Sequence, residues 1–135
     1  MAKGERVFVV EDDDYERRRL GYDLKEADHV IVAEAKTKEE AMMIVPTLGD
    51  LGVRAAIVDG NLTEGVGTGK DGREVTERIK DLYGDEIAVI SHTRGEPDLC
   101  NGDFYVSKDV WSGREVAEII TGLLPIEIRA VADGS

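Results

Sequence analysis

The chain has 135 residues, enough for one domain with a hydrophobic core that needs neither disulfides nor a structural metal. It carries 29 acidic and 17 basic residues, a formal net charge of −12, which argues against direct binding of nucleic acid or of an anionic membrane surface. No apolar run is long enough for membrane insertion. The single cysteine, Cys100, and an N-terminus without a signal-peptide pattern favour a cytoplasmic protein.

Short apolar runs alternate with segments of helical periodicity along the chain. The runs lack polar alternation, which is typical of strands buried on both faces, and cover residues 7–10, 30–33, 55–58, 87–90 and 104–106. Pro46 is expected to end or kink the second helix, and a capping box from Ser112 to Glu115 begins the last. This order predicts an α/β fold, a doubly wound five-stranded parallel sheet with helices on both faces.

Polar residues that follow the predicted strands are candidates for a site, because ligands of such sheets bind at the carboxyl ends of the strands. Glu11 and Asp12 follow the first strand and Asp59 follows the third. These three carboxylates would repel one another at one edge unless they shared a cation, and Mg²⁺ (or Mn²⁺) prefers such oxygen ligands. The alternative interpretation of residues 11–14 is a solvated acidic turn that starts a helix.

Four sequence motifs, each ending a predicted strand, together resemble the signature of the receiver domain of two-component response regulators. They are Val9 to Asp13, Ile57 to Leu62, Val89 to Ser91, and Tyr105 to Lys108. The resemblance covers about residues 5–124 and implies a flavodoxin-like or CheY-like (βα)5 fold. It implies a stand-alone receiver at 1–124 that is phosphorylated by a histidine kinase or histidine phosphotransfer protein and signals to an unknown downstream protein target.

The resemblance also implies a role for each matching residue. Asp59 would be the phosphoacceptor, and Mg²⁺ would be held by Glu11, Asp12, Asp59 and the backbone carbonyl of Asn61. Ser91 and Lys108 would bind the phosphoryl group, and Tyr105 would swing inward when Ser91 moves. His92 and Thr93 would flank the site.

The chain departs from the family pattern in several places. A glycine-rich insertion at 60–72 separates Asp59 from Asp71, and the segment between Ser91 and Tyr105 is short, so the fourth helix is expected to be shortened or missing. His92 is larger than the residue usual at its place and is expected to be partly exposed. Asp109 stands where proline usually follows the lysine. The tail at 125–135 is either frayed or an edge strand, which leaves a homodimer possible.

Two other classes of protein remain as alternatives to a working receiver. One is a phosphorylation-deficient docking module of the same fold that acts through protein contacts, for which the short fourth helix and His92 argue. The other is a flavodoxin-like mononucleotide binder, which the acidic run at 11–14 disfavours because it would repel phosphate.

Overall fold

The computed structural model describes residues 4–59, 70–93, 102–108 and 112–123. Five strands lie in these ranges: β1 (Arg6–Val10), β2 (Val30–Ala35), β3 (Val53–Val58), β4 (Ala88–Thr93) and β5 (Phe104–Ser107). The four α-helices there are α1 (Asp14–Glu26), α2 (Lys38–Ile44), α3 (Lys70–Tyr83) and α4 (Ser112–Thr121). None of these helices is long and apolar enough to cross a membrane.

The five strands form one parallel sheet in the order β2-β1-β3-β4-β5. The predicted doubly wound α/β fold is therefore confirmed. After β2 the chain crosses over β1 to add β3 on the other side, so the strand order reverses between β1 and β3. This reversal opens a crevice at the carboxyl ends of those two strands.

Apolar side chains fill both faces of the sheet. On one face Val10, Val58 and Val89 pack with Ala41 of α2 and Ile79 of α3. On the other face the sheet packs against α1 and α4, through a cluster that includes Val9, Ile57, Ile90, Leu20, Leu24, Val116 and Ile120. Burial on both faces explains the unbroken apolar runs of the central strands β1, β3 and β4. The outer strands β2 and β5 are only partly buried, so the expectation of burial on both faces is wrong for them.

The second helix ends where its proline predicts. Thr37 caps α2 by accepting the Glu40 N–H at 3.1 Å. The helix gives way at Ile44 to a 3₁₀ turn, Val45–Thr47, that contains Pro46. Proline lacks the N–H that an α-helix would need at this point, so the change of helix type follows from the sequence.

The fourth strand differs from its prediction. It was expected to end at Ser91, but β4 continues through His92 to Thr93. All three polar residues are buried, with 0%, 2% and 0% of their surface exposed, so the expectation of a partly exposed His92 is wrong. Buried polar side chains need hydrogen-bond partners, and those partners come from distant parts of the chain.

Several predicted features lie outside the described residues. They are Asn61 and most of the glycine-rich insertion, the place of the shortened fourth helix before β5, Cys100, Asp109, and the tail after residue 123.

Candidate functional site

Two carboxylates meet in the crevice between β1 and β3. Glu11 directly follows β1, and its N–H is bonded to the Ala35 carbonyl at 3.0 Å. Asp59 directly follows β3, and its N–H is bonded to the Val10 carbonyl at 3.0 Å. The two residues are only 2% and 5% exposed, so the sheet holds both acids at its edge with little access to water.

Asp12 completes a group of three acids. One carboxylate oxygen from each of Glu11, Asp12 and Asp59 lies within 4.8 Å of the others. Asp12 is exposed, whereas its two neighbours are buried. The convergence expected from the strand ends is therefore present in the structure.

Lys108 reaches this group from the end of β5. Its Nζ lies 2.6 Å from Glu11 Oε1 and 3.0 Å from Asp59 Oδ2, and its side chain is 8% exposed. One ammonium thus lies between two buried carboxylates. Burial favours the neutral form of the lysine, but Asp59 and Glu11 outweigh it and raise the Lys108 pKa above its usual range.

The pKa of Glu11 reflects its burial and the excess negative charge of the cluster. Burial, followed by repulsion from Asp59, raises it to about 8, although Lys108 acts in the opposite direction. Two buried carboxylates and one ammonium leave excess negative charge. The cluster can relieve this excess by taking up a proton or by binding a cation.

A divalent cation fits the chemistry of these donors. Carboxylate oxygens are the hard ligands that Mg²⁺ prefers, and one or two of them usually suffice because the ion keeps several waters. The exposed position of Asp12 leaves a water-accessible side from which an ion could enter. Glu11, Asp12 and Asp59 are thus suited to hold Mg²⁺.

The site opens into a cavity of about 180 Å³. It is lined by Glu11, Asp12, Asp13, Glu16, Asp59, Thr93 and Lys108. Thr93, which the resemblance places only beside the site, is the one uncharged side chain among these residues.

The acidic run also starts a helix, as the alternative interpretation of residues 11–14 expects. Asp13 caps α1, because its Oδ1 accepts the N–H groups of Tyr15 at 2.8 Å and Glu16 at 3.1 Å. Arg17 of α1 donates to the Glu11 carbonyl at 2.9 Å. The cap was not predicted, although the spacing of Asp13 and Glu16 matches a capping signal.

Ser91 and Tyr105 lie further from the acids along the strands. Ser91 pairs with Val58 on one side and with Tyr105 on the other. Its hydroxyl accepts the Gly102 N–H at 3.0 Å, and it is not part of the cavity lining. Tyr105 is half-buried in β5.

His92 does not crowd the cavity. Its Nε2 lies 2.9 Å from the hydroxyl of Ser112, the first residue of α4, and both residues are 2% exposed. The residue therefore belongs to the packing between β4 and α4, and not to the entrance of the acidic site.

Comparison with solved structures returns many CheY-like receiver domains of response regulators, which cover most of the chain. One is the response regulator TrrA from Thermotoga maritima in complex with Mg²⁺-BeF, at 26% identity and a TM-score of 0.68, covering 89% of this chain and 99% of that one. Another is a CheY-like receiver domain protein from Methanospirillum hungatei, at 18% identity and a TM-score of 0.68, covering 98% and 100%. The chain has the fold of CheY-like receiver domains.

The receiver domain of the putative response regulator NarL from Mycobacterium tuberculosis gives a TM-score of 0.69 at 16% identity, covering 90% of this chain and 96% of that one. No protein-family model matches the chain, and no curated protein matches it. The likeness is thus one of fold.

Proposed function

We propose that this receiver accepts a phosphoryl group on Asp59 from a histidine kinase or a histidine phosphotransfer protein. The observation that carries the proposal is the buried cluster of Glu11, Asp59 and Lys108 at the β1–β3 crevice. An ordinary core has no need of two buried carboxylates beside one ammonium, whereas phosphoryl transfer to an acid needs such a set.

The reaction would replace a P–N bond by a P–O bond. A carboxylate oxygen of Asp59 bonds to phosphorus as the P–N bond of the phosphohistidine breaks. The electron pair of that bond leaves with the imidazole nitrogen, which takes up a proton from solvent. Lys108 stabilises the negative charge on the transferring phosphoryl oxygens, because its Nζ already lies 3.0 Å from Asp59 Oδ2.

A bound Mg²⁺ would neutralise further charge on the phosphoryl oxygens. Glu11, Asp12 and Asp59 are the described residues suited to hold it, and Asn61 is proposed as a further ligand through its carbonyl. The solved TrrA neighbour, which contains Mg²⁺-BeF, supports this assignment by analogy.

Phosphorylation would act as a conformational switch. Lys108 now bridges Glu11 and Asp59, and a phosphoryl group on Asp59 would compete for its ammonium. The output is protein contact with a downstream target, and Tyr105 on β5 is proposed to report the change. The proposed surroundings are cytoplasmic, where such kinases act.

Intact-protein mass spectrometry after incubation with phosphoramidate and Mg²⁺ tests the proposal. We expect one phosphoryl adduct on the wild type and none on Asp59→Asn. Asp50→Asn, at an exposed turn, is the matched control and should label like the wild type. A wild type that stays unlabelled while a known receiver labels in the same tube would contradict the proposal.

A further inference from the structure

The outer side of β2, which is the long side that faces away from β1, has no strand beside it in the described part of the chain. The strand is apolar, with Glu34 as its one charged residue. Val30 is 48% exposed, and Ile31, Val32 and Ala33 are half-buried. An open apolar strand of this kind can pair with other chains, so proteins usually cover it.

Hydrogen bonds to β1 show which amides of β2 point to the outer side. The Val30 N–H donates at 3.0 Å to the carbonyl of the residue before β1, so the N–H of the next residue, Ile31, points outward. At the other end, the Ala35 carbonyl accepts an N–H at the end of β1, also at 3.0 Å. Glu34, which precedes Ala35, therefore faces outward as well.

The last helix ends close to the start of β2. His29 directly precedes β2, and its Nε2 lies 2.9 Å from Thr121 Oγ1 and 3.2 Å from the Ala117 carbonyl of α4. Ile31 of β2 and Leu123 pack against the same apolar cluster. The chain therefore leaves the described part, at Leu123, near the first residues of β2.

The sequence that follows has the pattern of a strand. In residues 126–131, called here the tail segment, apolar residues alternate with charged ones as far as Ala130. In a strand, this period of two puts Ile126, Ile128 and Ala130 on one face and Glu127 and Arg129 on the other. One apolar face and one largely polar face suit the outermost strand of a sheet.

Distance favours β2 over β5 as the neighbour of the tail segment. From Leu123 to Ile126 the chain spans at most about 10 Å. A strand paired with β2 would lie only about 5 Å from it, whereas β5 lies four strands further across the sheet, roughly 20 Å away. The tail segment can therefore reach the outer side of β2 directly, and it begins too soon after α4 to pair with β5.

The connection would also have the usual hand. The helix α1 joins β1 to β2 across the face of the sheet that also carries α4. A connection from β5 through α4 to a strand beyond β2 runs in the same direction over the same face, so it has the same hand as the connection through α1. Because such crossovers between parallel strands are nearly always right-handed, the topology allows a sixth parallel strand at this place.

We propose that the tail segment, residues 126–131, binds the outer side of β2 as a sixth, parallel strand of the same molecule. It pairs with the outward backbone groups of Ile31 and Glu34, and its isoleucines cover the apolar surface around Val30. The added strand closes the apolar side of β2 to pairing with other chains. The inference does not depend on the phosphorylation of Asp59.

Amide hydrogen exchange, followed by NMR in the full chain, tests the proposal. We expect slow exchange at Ile31 and Glu34 in the wild type. In Ile128→Asp, which puts a charge on the apolar face of the tail segment, these two amides should exchange at least about tenfold faster, because they lose their partners. The matched control is Ala132→Asp, which adds the same charge beyond the tail segment and should exchange like the wild type.

The Val30 amide, which is bonded toward β1, is the internal reference. It should exchange equally slowly in all three proteins. Fast exchange at Ile31 and Glu34 in the wild type would overturn the proposal. The same acceleration of all three amides in Ile128→Asp would also overturn it, because that result would reflect a loss of overall stability.

Proline substitutions distinguish a paired strand from apolar packing alone. Adjacent N–H groups of an outermost strand point alternately to the neighbouring strand and to solvent, and proline is tolerated only where the N–H faces solvent. We therefore expect one of Arg129→Pro and Ala130→Pro to remove the protection of the β2 amides and the other to keep it. Equal effects of the two substitutions would contradict strand pairing.

Dilution identifies which molecule supplies the strand. Protection of Ile31 and Glu34 that does not depend on protein concentration is expected for a strand of the same molecule. Protection that is lost on dilution, together with a dimer in light scattering, would assign the strand to a second copy of the chain and overturn the proposal.

Discussion

Buried ionisable groups lie at both ends of the parallel strands, which are called here the amino edge and the carboxyl edge of the sheet. Their surroundings differ at the two edges. At the amino edge, His29 is 4% exposed; its Nδ1 accepts the Glu5 N–H at 2.9 Å, and its Nε2 lies 2.9 Å from Thr121 Oγ1 and 3.2 Å from the Ala117 carbonyl. At the carboxyl edge, Glu11 and Asp59 share the ammonium of Lys108. The hydrogen bonds of the His29 imidazole are made with neutral groups. At the carboxyl edge, two carboxylates and one ammonium are held together in a buried site.

The difference indicates which edge is functional. A neutral imidazole with partners on both nitrogens stabilises the fold and needs nothing further. Burial lowers the His29 pKa, although the Ala117 carbonyl, Glu5 and Asp28 act in the opposite direction. By contrast, the Glu11 pKa rises to about 8, which marks a cluster that is incomplete without a proton or a cation.

The largest effect is expected from removing the ammonium at the carboxyl edge. Lys108→Ala should lower the free energy of unfolding by about 3–5 kcal/mol at pH 9 without divalent metal, because Glu11 and Asp59 lose a buried partner. Urea denaturation measures this. The control is Lys38→Ala, whose partly exposed pair with Glu74 at 2.8 Å should contribute much less, because solvent screens it. Equal losses would remove the contrast between a buried and a surface pair.

The affinity for Mg²⁺ should depend on pH through Glu11. The Glu11 pKa is about 8, so below pH 8 its carboxyl is mostly protonated. A metal must then displace that proton. Binding should therefore be at least about tenfold weaker at pH 6 than at pH 8. Isothermal titration calorimetry measures this. Glu11→Gln should bind more weakly at pH 8 but with little dependence on pH, and an equally steep dependence in that variant would assign the proton to another group.

At the amino edge we expect a smaller loss with its own pH dependence. His29→Ala should lower the stability by about 2 kcal/mol at pH 7.5, because it leaves the Glu5 N–H without its acceptor. Since the folded pKa lies below the ordinary 6.5, the native state binds fewer protons than the unfolded chain. The contribution of His29 is thus present above pH 6.5 and is lost as the pH falls through the folded pKa.

Urea denaturation of the wild type and His29→Ala at a series of pH values measures this effect. The difference in stability between the two proteins should shrink as the pH falls below 6.5. A difference that stays constant would mean that folding does not shift the His29 pKa, and one that grows toward acid pH would mean that the fold favours the charged imidazole.

The smallest effect concerns the helix that borders the site. Asp13→Ala should cost about 1 kcal/mol, since Asp13 accepts two N–H groups at the start of α1. Thermal unfolding of this variant beside Asp50→Ala, whose site is an exposed turn, measures the cap. Equal melting temperatures would show that the Asp13 cap does not stabilise the fold.

The sequence predicted the fold and the acidic site because both depend on local patterns. Apolar runs locate strands that are buried on both faces, and the strand ends then bring Glu11, Asp12 and Asp59 together. The end of β4 could not be found in this way. The strand was expected to end at Ser91, but Gly102 and Ser112 supply hydrogen bonds to Ser91 and His92 that allow the strand to continue, buried, to Thr93. Such partners depend on tertiary packing.

Locating the phosphoryl group tests the central claim most directly. The labelled protein is reduced with borohydride, which converts an aspartyl phosphate to homoserine, and is then digested and sequenced by mass spectrometry. We predict homoserine at position 59 and at no other acid, dependent on Mg²⁺ and absent in Asp59→Asn. Homoserine at Asp12 or at an acid outside the cluster, or a label that resists borohydride, would contradict the account.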